Sequence, residues 1–301
     1  MANDNWKTID ALRQQSIEEL RADIQARDRI VSDARRRLSH VQRGNAAFKL
    51  GRRRPASSRL KLTLNRYLDL SVLPTPPASV DYSPKAKAAL ARMYLNDQLG
   101  DCVIACMAHL VGTFLGNAGQ TYILSPAQIV ALYSAIGGYV PGDPSTDNGC
   151  DERTALAYWK ATGAPAGLNK IAGWVSVDAT NPAEYRAALW LFENLFFGVE
   201  LPDAWVNPFP SSSGFVWDVA GQPDPDNGHC FPGVGYTAKG IKIDTWGMLG
   251  TVTNAAVEEY ASTAGSGELY TVLSPEIILK ASQKAPNGFD LAQLQADLAA
   301  A

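Results

Sequence analysis

The stretch "GHCFPGVGYTAKGIKIDTWG" at residues 228–247 decides how the second half of the chain is interpreted. A single histidine, His229, precedes an apolar run divided by glycines, and Asp244 follows fifteen residues later in "DTWG". The β-branched and aromatic residues between glycines predict a β-hairpin. From these residues alone, His229 is either an ordinary strand residue or the base of a catalytic relay with Asp244.

Length and composition are those of an ordinary globular protein. The chain has 301 residues, of which 46% are hydrophobic and 19% charged, and these values fit one large domain or two smaller ones. No apolar run reaches the roughly 20 residues of a membrane span, and the N-terminus lacks the apolar core of a secretory signal. Four scattered cysteines without a CxxC pair predict neither a disulfide framework nor a zinc site. We therefore expect free thiols, no cofactor, and a cytoplasmic or virion-associated location.

The N-terminal part of the chain is basic and helical in pattern. Residues 1–66 carry 16 Lys and Arg against 7 Asp and Glu, whereas the remainder is acidic. From about residue 8 to residue 42 no Pro or Gly interrupts a heptad pattern, whose a and d positions include Ile17, Leu20, Ile24, Val31, Leu38 and Val41. This pattern predicts a coiled coil that docks or forms a homo-oligomer or larger assembly, or a single helix packed on its own domain. The basic arm is expected to contact an anionic surface or nucleic acid, or to fold back on the acidic body.

Proline-rich residues 73–84, "LPTPPASVDYSP", mark a domain boundary. We predict a basic helical arm and linker at 1–76, within which residues 43–59 form an exposed basic linker, and a folded domain at 77–301. In the domain, helical patterns at 101–116, 125–138, 150–164 and 181–195 precede short β-rich runs from about residue 196. Helices first and strands second predict an α+β fold with two lobes.

Cys102 is the candidate nucleophile because it begins the most apolar of these helices. The backbone N–H groups and the dipole at a helix N-terminus favour a thiolate. A nucleophilic cysteine also needs a base and a group that orients the base, and His229 and Asp244 can supply these. Trp246 can screen the pair from water. Composition alone leaves a buried structural cysteine as the alternative, and we interpret Cys106 and His109 on the same helix as structural.

Four segments in order resemble the papain-like cysteine peptidases. They are "PPASVDYS" (76–83), "NDQLGDCVIACMAHL" (96–110), "LSPAQIVALY…GCDERTALAYWKATG" (124–163) and "GHCFPGVGY…IKIDTWG" (228–247). The resemblance implies a papain-like two-lobed α+β fold preceded by an N-terminal helical arm. The first lobe would be helical, with a central cysteine helix, and the second an antiparallel β-barrel-like lobe.

The same resemblance implies a role for each site residue. Cys102 matches the nucleophile and His229 the general base. Asp244 stands where the family usually has Asn, and Trp246 matches the Trp that covers that residue. Gln98 matches the oxyanion-hole side chain, whose partner is the backbone N–H of Cys102.

Three departures from the family pattern bear on activity. Gln98 precedes Cys102 by four residues where the family has six, Asp101 directly precedes the thiol, and Asp151 and Glu152 replace a glycine pair. A carboxylate beside a thiol disfavours the thiolate. The departures raise the question of whether the site is active.

Two functions follow from the sequence. The first is a cysteine peptidase that hydrolyses peptide or protein substrates and is kept latent, with residues 1–76 as a pro-segment or targeting arm. The alternative is a structural or assembly protein, such as a phage virion component, that uses a papain-like domain as a binding or scaffold module. A cleft filled by residues 60–80 of the same chain would indicate a latent form, and one filled by another subunit would indicate assembly.

Overall fold

One β-sheet, buried on both faces, organises the part of the chain described by the computed structural model, which comprises residues 48–54 and 62–300. These residues belong to a single compact unit that spans residues 47–301. The predicted helix at 8–42 lies outside the described residues. Part of the core comes from residues before the predicted boundary at 76/77, since Leu64 and Tyr67 are almost fully buried.

The described residues form nine α-helices. They are α1 (Lys87–Leu90), α2 (Cys102–Asn117), α3 (Pro126–Gly137), α4 (Glu152–Thr162), α5 (Pro182–Phe192), α6 (Asp203–Val206), α7 (Asn254–Ala261), α8 (Pro275–Lys284) and α9 (Leu291–Ala300). Across residues 48–54 and 62–300, no helix combines the length and apolar character needed to cross a membrane.

Eight strands make up the sheet in the same residues. They are β1 (Val80–Asp81), β2 (Gly173–Ser176), β3 (Leu195–Glu200), β4 (Val216–Trp217), β5 (Gly228–Tyr236), β6 (Gly240–Thr245), β7 (Met248–Thr253) and β8 (Glu268–Leu273). The order across the sheet is β2-β8-β3-β5-β6-β7-β4, and β1 also pairs with β5. Every pairing is antiparallel except that of β4 with β7. The predicted α+β class is confirmed, although four helices, α6 to α9, also follow or interrupt the strands from β3 onward.

Helix α2 is central because almost every residue in it is buried. Two glycines allow this close packing. A Cβ atom on Gly112 would lie 2.2 Å from the Ala89 side chain in α1, and one on Gly116 would lie 2.6 Å from the Lys85 carbonyl oxygen. Side chains at these positions would therefore push the preceding segment away from α2. Glycines at these two contacts therefore let the C-terminal half of α2 pack closely against residues 85–89.

Strand β5 lies between two hydrophobic cores. All nine of its residues are buried, and successive side chains of a strand point to opposite faces. Cys230 belongs to the core that contains α2, whereas Phe231 belongs to the core that contains α5 and α7. Strand β3 divides in the same way, with Phe196 in the first core and Phe197 in the second. A residue's position along β5 therefore decides which lobe its side chain faces.

Asn194 connects α5 to the sheet through a fully buried side chain. Its Nδ2 atom donates to the carbonyl oxygens of Phe192 and Val272, at 2.8 Å each, and its Oδ1 atom accepts from the Val272 N–H at 2.9 Å. The side chain thus satisfies backbone groups at the end of α5 and in β8.

Replacing Asn194 with Ala is expected to destabilise the fold. The change leaves buried backbone groups unpaired, and we expect a loss on the order of 2–4 kcal/mol in the free energy of unfolding, measured by urea denaturation followed by circular dichroism. Asn65→Ala at an exposed position is the matched control and should change stability little. Equal effects of the two substitutions would contradict a structural role for Asn194.

Candidate active site

Cys102 is the first residue of α2, as predicted, and its side chain is buried. Backbone groups of Gly51 and Cys230 lie within hydrogen-bonding reach of the thiol. Burial nevertheless raises the pKa of Cys102 to about 12, because a thiolate loses its hydration in an apolar surrounding. The thiol is therefore protonated and unreactive near neutral pH in this structure.

Asp101 directly precedes the thiol and is fully buried. It occupies the N-cap position of α2 without accepting a capping hydrogen bond from the helix. Burial raises its pKa well above the usual range for Asp, which favours the neutral carboxyl. The negative charge expected beside Cys102 from the sequence is thus suppressed.

His229 lies at the start of β5, where its ring stacks on Trp246 with 4.4 Å between ring centroids. Its Nε2 atom is 2.7 Å from Thr245 Oγ1, and its Nδ1 atom is buried without a hydrogen-bond partner. Burial lowers the pKa of His229 to about 3, so the imidazole is neutral. Trp246 is itself buried and covers the His229 ring.

Asp244 faces the other side of the sheet, because it neighbours Thr245 on β6 and successive residues of a strand alternate. Its Oδ2 atom lies 3.2 Å from Nε2 of His109 in α2. Burial raises the pKa of Asp244 well above its usual range and lowers the pKa of His109 to about 3. These directions favour a neutral pair, a protonated carboxyl beside a neutral imidazole.

The structure brings together some of the predicted site residues and separates others. His229 and Trp246 are in contact, but the His229 ring bonds to Thr245 and Asp244 contacts His109. No hydrogen bond between the Cys102 thiol and the His229 ring occurs among the described residues. Gln98, the predicted oxyanion side chain, is exposed. The predicted roles of Cys102, His229, Asp244, Gln98 and Trp246 all remain predictions.

Residues 48–54 lie along the cleft beside Cys102. The N–H of Arg52 donates to the Gly228 carbonyl oxygen, the N–H of Cys150 donates to the Gly51 carbonyl oxygen, and the N–H of Arg53 donates to the Cys150 carbonyl oxygen, each at 3.0 Å. The pairing of Arg52 with Cys150 is parallel. The chain's own extended segment is therefore held by main-chain hydrogen bonds from both sides.

Gly51 lies over the thiol at a point where the two backbones almost touch. A Cβ atom on Gly51 would lie 1.7 Å from the Gly100 carbonyl oxygen, a distance that no side chain can occupy. Only glycine fits between the loop before α2 and the cleft floor. The segment thus closes over Cys102 because residue 51 has no side chain.

The prediction of an exposed basic linker at 43–59 is wrong for Arg52. Its side chain is only 1% exposed, and its Nε atom donates to Glu152 Oε1 at 2.7 Å. Its remaining nitrogens donate to Glu268 Oε2 at 3.2 Å and to the Ser266 carbonyl oxygen at 3.3 Å. Arg54 pairs with Glu200 at the end of β3. A run of arginines indicates a solvated surface by composition, but two buried or nearly buried acidic partners, distant in sequence, hold Arg52 inside.

An aromatic contact holds the other end of the segment. Phe48 stacks on Trp246 with 4.8 Å between ring centroids and meets Phe209 edge to face at 5.5 Å. Since Trp246 also stacks on His229, Trp246 and Phe48 cover the imidazole in series, and Phe209 meets both edge to face. Water is excluded from this side of the candidate base.

Sequence reasoning missed Thr245, the segment at 48–54 and the contact between His109 and Asp244. The alternation of "IKIDTW" carried a signal for the first of these. Ile241 and Ile243 are fully buried, so period two places Asp244 and Thr245 on opposite faces. His229 can therefore contact Thr245 or Asp244 but not both, and in the structure it contacts Thr245.

Comparison with solved structures shows the fold. Xylellain, a cysteine protease from Xylella fastidiosa, is similar with a TM-score of 0.55 at 15% identity, over 76% of this chain and 97% of that chain. The Amb a 11 cysteine protease, a ragweed pollen allergen in its proform, gives 0.53 at 14% identity over 76% of each chain. A procathepsin B from Trypanosoma congolense gives 0.50 at 15% identity over 75% of this chain and 86% of that chain. No family model and no curated protein sequence matches the chain.

These similarities confirm the papain-like fold predicted from the sequence. The protein is a two-lobed α+β protein with the architecture of the papain-like cysteine proteases. At 14–15% identity the likeness concerns the fold, and the chemistry has to be argued from the site.

Burial of His229 predicts a specific pH dependence of stability. Its pKa is about 3 in the folded chain against 6.5 for an ordinary histidine, so between these values the unfolded chain binds a proton that the folded chain does not. Stability therefore falls as pH falls through this window, by about 1.4 kcal/mol per pH unit for one such group. Because His109 has the same lowered pKa and keeps its own contribution, we expect His229→Gln to reduce the slope of unfolding free energy between pH 6.5 and 4.5 by up to about 1.4 kcal/mol per pH unit, measured by urea denaturation at each pH.

Thr245→Ser is the control, because it keeps the hydroxyl beside His229 and should keep the parent slope. An unchanged slope in His229→Gln would show that the imidazole is not held neutral by burial.

Proposed function

We propose that the protein is a latent cysteine peptidase, with Cys102 as nucleophile and His229 as general base. One observation carries the proposal. The extended segment at residues 48–54 is held by main-chain hydrogen bonds beside the N-terminus of α2, directly over the Cys102 thiol. A groove that binds extended backbone beside a thiol at a helix N-terminus is suited to cleave peptides. The papain-like fold supports the same conclusion.

In the proposed reaction the cleft first opens, and the imidazole of His229, which faces the aromatic cluster in the closed structure, comes within reach of Cys102. The Cys102 thiol then transfers its proton to Nδ1 of His229. Nδ1 is the ring nitrogen without a partner, and Nε2 is already engaged by Thr245. The thiolate attacks the substrate carbonyl carbon, and the imidazolium then donates its proton to the departing amine as the C–N bond breaks. Water hydrolyses the acyl-enzyme, giving its proton to His229 and its hydroxyl to the acyl carbon, and the free thiol is regenerated.

Thr245 is the proposed positioning residue for His229. When Nε2–H donates to Thr245 Oγ1, the lone pair of the imidazole is on Nδ1, where the thiol proton is received. The predicted role of Asp244 in the same place requires β6 to rotate, because Asp244 contacts His109 on the other face. Gln98 is the proposed oxyanion donor and would turn inward from its exposed position.

Latency is explained by two features of the closed cleft. Gly51 covers the thiol, and burial keeps both members of the pair neutral, since the pKa of Cys102 is raised and that of His229 lowered. A thiolate–imidazolium pair needs a more polar surrounding. Displacing residues 48–54 admits water and substrate together.

Gly51→Ala is expected to activate the full-length protein. The added methyl group meets the Gly100 carbonyl oxygen and forces the segment out of the cleft. We expect iodoacetamide to label Cys102 at pH 7 at least about tenfold faster than in the parent. This factor corresponds to destabilising the closed state relative to the open state by about 1.4 kcal/mol or more. We also expect the variant to cleave a fluorescently quenched casein. Mass spectrometry identifies the labelled thiol.

Arg53→Ala is the matched control, because Arg53 lies in the same segment with an exposed side chain and should leave labelling at the parent rate. Cys102→Ala in the Gly51→Ala chain must abolish casein cleavage. Fast labelling of Cys102 without any cleavage would argue against a peptidase, as would cleavage that survives the loss of Cys102.

Thr245→Val and Asp244→Asn separate the two candidate partners of His229. In the Gly51→Ala chain, we expect Thr245→Val to lower kcat for casein-derived peptides by about tenfold or more and to move the acidic limb of the pH–rate profile, because the imidazole loses its hydrogen bond. Asp244→Asn should keep most of the activity. The reverse ranking would assign the orienting role to Asp244, as the sequence predicts.

A further inference from the structure

The strongest unassigned feature is the buried pocket that holds Arg52. Glu152 at the start of α4, Glu268 at the start of β8 and the Ser266 carbonyl oxygen each accept a hydrogen bond from a different nitrogen of the guanidinium. Gly198 in β3 lies next to this group, because a Cβ atom there would be 1.6 Å from Glu152 Oε1 and 3.1 Å from Arg52 Nε. The pocket thus has three acceptors arranged around a planar cation.

The charges of the pocket favour an occupant with one positive charge. Arg153 pairs with Glu268 Oε1 at 2.6 Å, which compensates one carboxylate. Glu152 is fully buried, and Arg52 is its ion-pair partner. Burial raises the pKa of Glu152 to about 7 even beside Arg52, so once Arg52 leaves, the buried carboxyl is either an unpaired charge, which is costly, or takes up a proton. A guanidinium that enters the pocket releases that proton and restores the ion pair.

The acceptors also select the shape of the cation. A guanidinium presents donors in a fixed planar fork, whereas an ammonium is a compact point charge. Glu152 Oε2 is buried without a hydrogen-bond partner, so the pocket offers one acceptor more than Arg52 uses. The arrangement therefore favours arginine over lysine.

We propose that this pocket is the specificity pocket of the enzyme, an inference that rests on the proposed peptidase function. Its substrates would be peptides that carry arginine next to the residue bound over the Cys102 thiol. Arg52 is adjacent in sequence to Gly51, which covers the thiol. The chain's own segment occupies the pocket with the side chain that the pocket selects. Glu152 and Glu268 are the specificity-determining residues.

The test compares two peptides that differ only in charge. A fluorescein-labelled peptide of the sequence of residues 47–55, "AFKLGRRRP", is prepared with arginine or with citrulline, its neutral isostere, at the position of Arg52. Binding to the full chain carrying Gly51→Ala, Arg52→Ala and Cys102→Ala is measured by fluorescence anisotropy. In this chain residues 48–54 no longer fit over residue 102, and they place no cation in the pocket. We expect the arginine peptide to bind at least about tenfold more tightly, as a hydrogen-bonded charge pair allows.

Glu268→Gln in the same chain is expected to bring the two affinities close together, because it removes one charge and keeps the shape. Glu258→Gln, an identical change at an exposed position on α7, should preserve the preference. Arg52→Gln replaces Arg52→Ala if the first chain lacks the parent's far-ultraviolet circular dichroism. Equal affinities of the two peptides in a folded chain would overturn the proposal.

Cleavage is measured separately, with the two peptides carrying a fluorophore and a quencher and with Cys102 restored. A binding preference without cleavage of either peptide or of casein would support the pocket and refute the peptidase. Cleavage of both peptides at equal efficiency would support the peptidase and refute the pocket. Preferential cleavage of the arginine peptide, lost in Glu268→Gln, supports both.

Discussion

Burial of β5 on both faces is the constraint from which the geometry of the site follows. Since all nine of its residues are enclosed, each must face one of two cores, and the alternation of a strand leaves no choice of side. Cys230 faces the cysteine helix, and His229 faces the aromatic cluster with Trp246. Strand β6 pairs with β5 and divides in the same manner, so that Thr245 meets the histidine and Asp244 meets α2.

The closed cleft is a dry environment in which ionisable groups lose their charge. Cys102, Asp101 and Asp244 have raised pKa values, and both buried histidines have lowered ones, in each case first because of burial. The cluster around Arg52 is different, because there carboxylates and guanidinium compensate each other. The cleft therefore has two electrostatic environments. Around Cys102 and His229 burial keeps both groups neutral, and around Arg52 an ion pair binds the arginine side chain.

Much of this arrangement was accessible from the sequence. The α+β class, the papain-like fold and the start of α2 at Cys102 all follow from local patterns and motif order. These features depend on residues near one another in the chain or on the family pattern. The contact of Asp244 with His109 was less accessible, because it depends on the register and facing of β6 over a buried helix.

The course of residues 48–54 was hidden for a different reason. "GRRRP" has the composition of an exposed linker, and nothing local distinguishes Arg52 from Arg53. Their difference arises from Glu152 and Glu268, which lie 100 and 216 residues further along the chain. Long-range charge pairing of this kind leaves no periodic signal in the sequence.

The tether of the segment has a kinetic and thermodynamic consequence. Arg54 is followed by only seven residues, 55–61, before Leu62, and Leu64 and Tyr67 then pack in the core. A group held on so short a connection competes at an effective concentration in the millimolar range. A free peptide with the same intrinsic affinity must reach a similar concentration to displace it. Cutting the chain between residues 54 and 62 would remove this covalent connection without altering any contact in the cleft. The segment would then no longer be an intramolecular inhibitor, and it would dissociate on dilution.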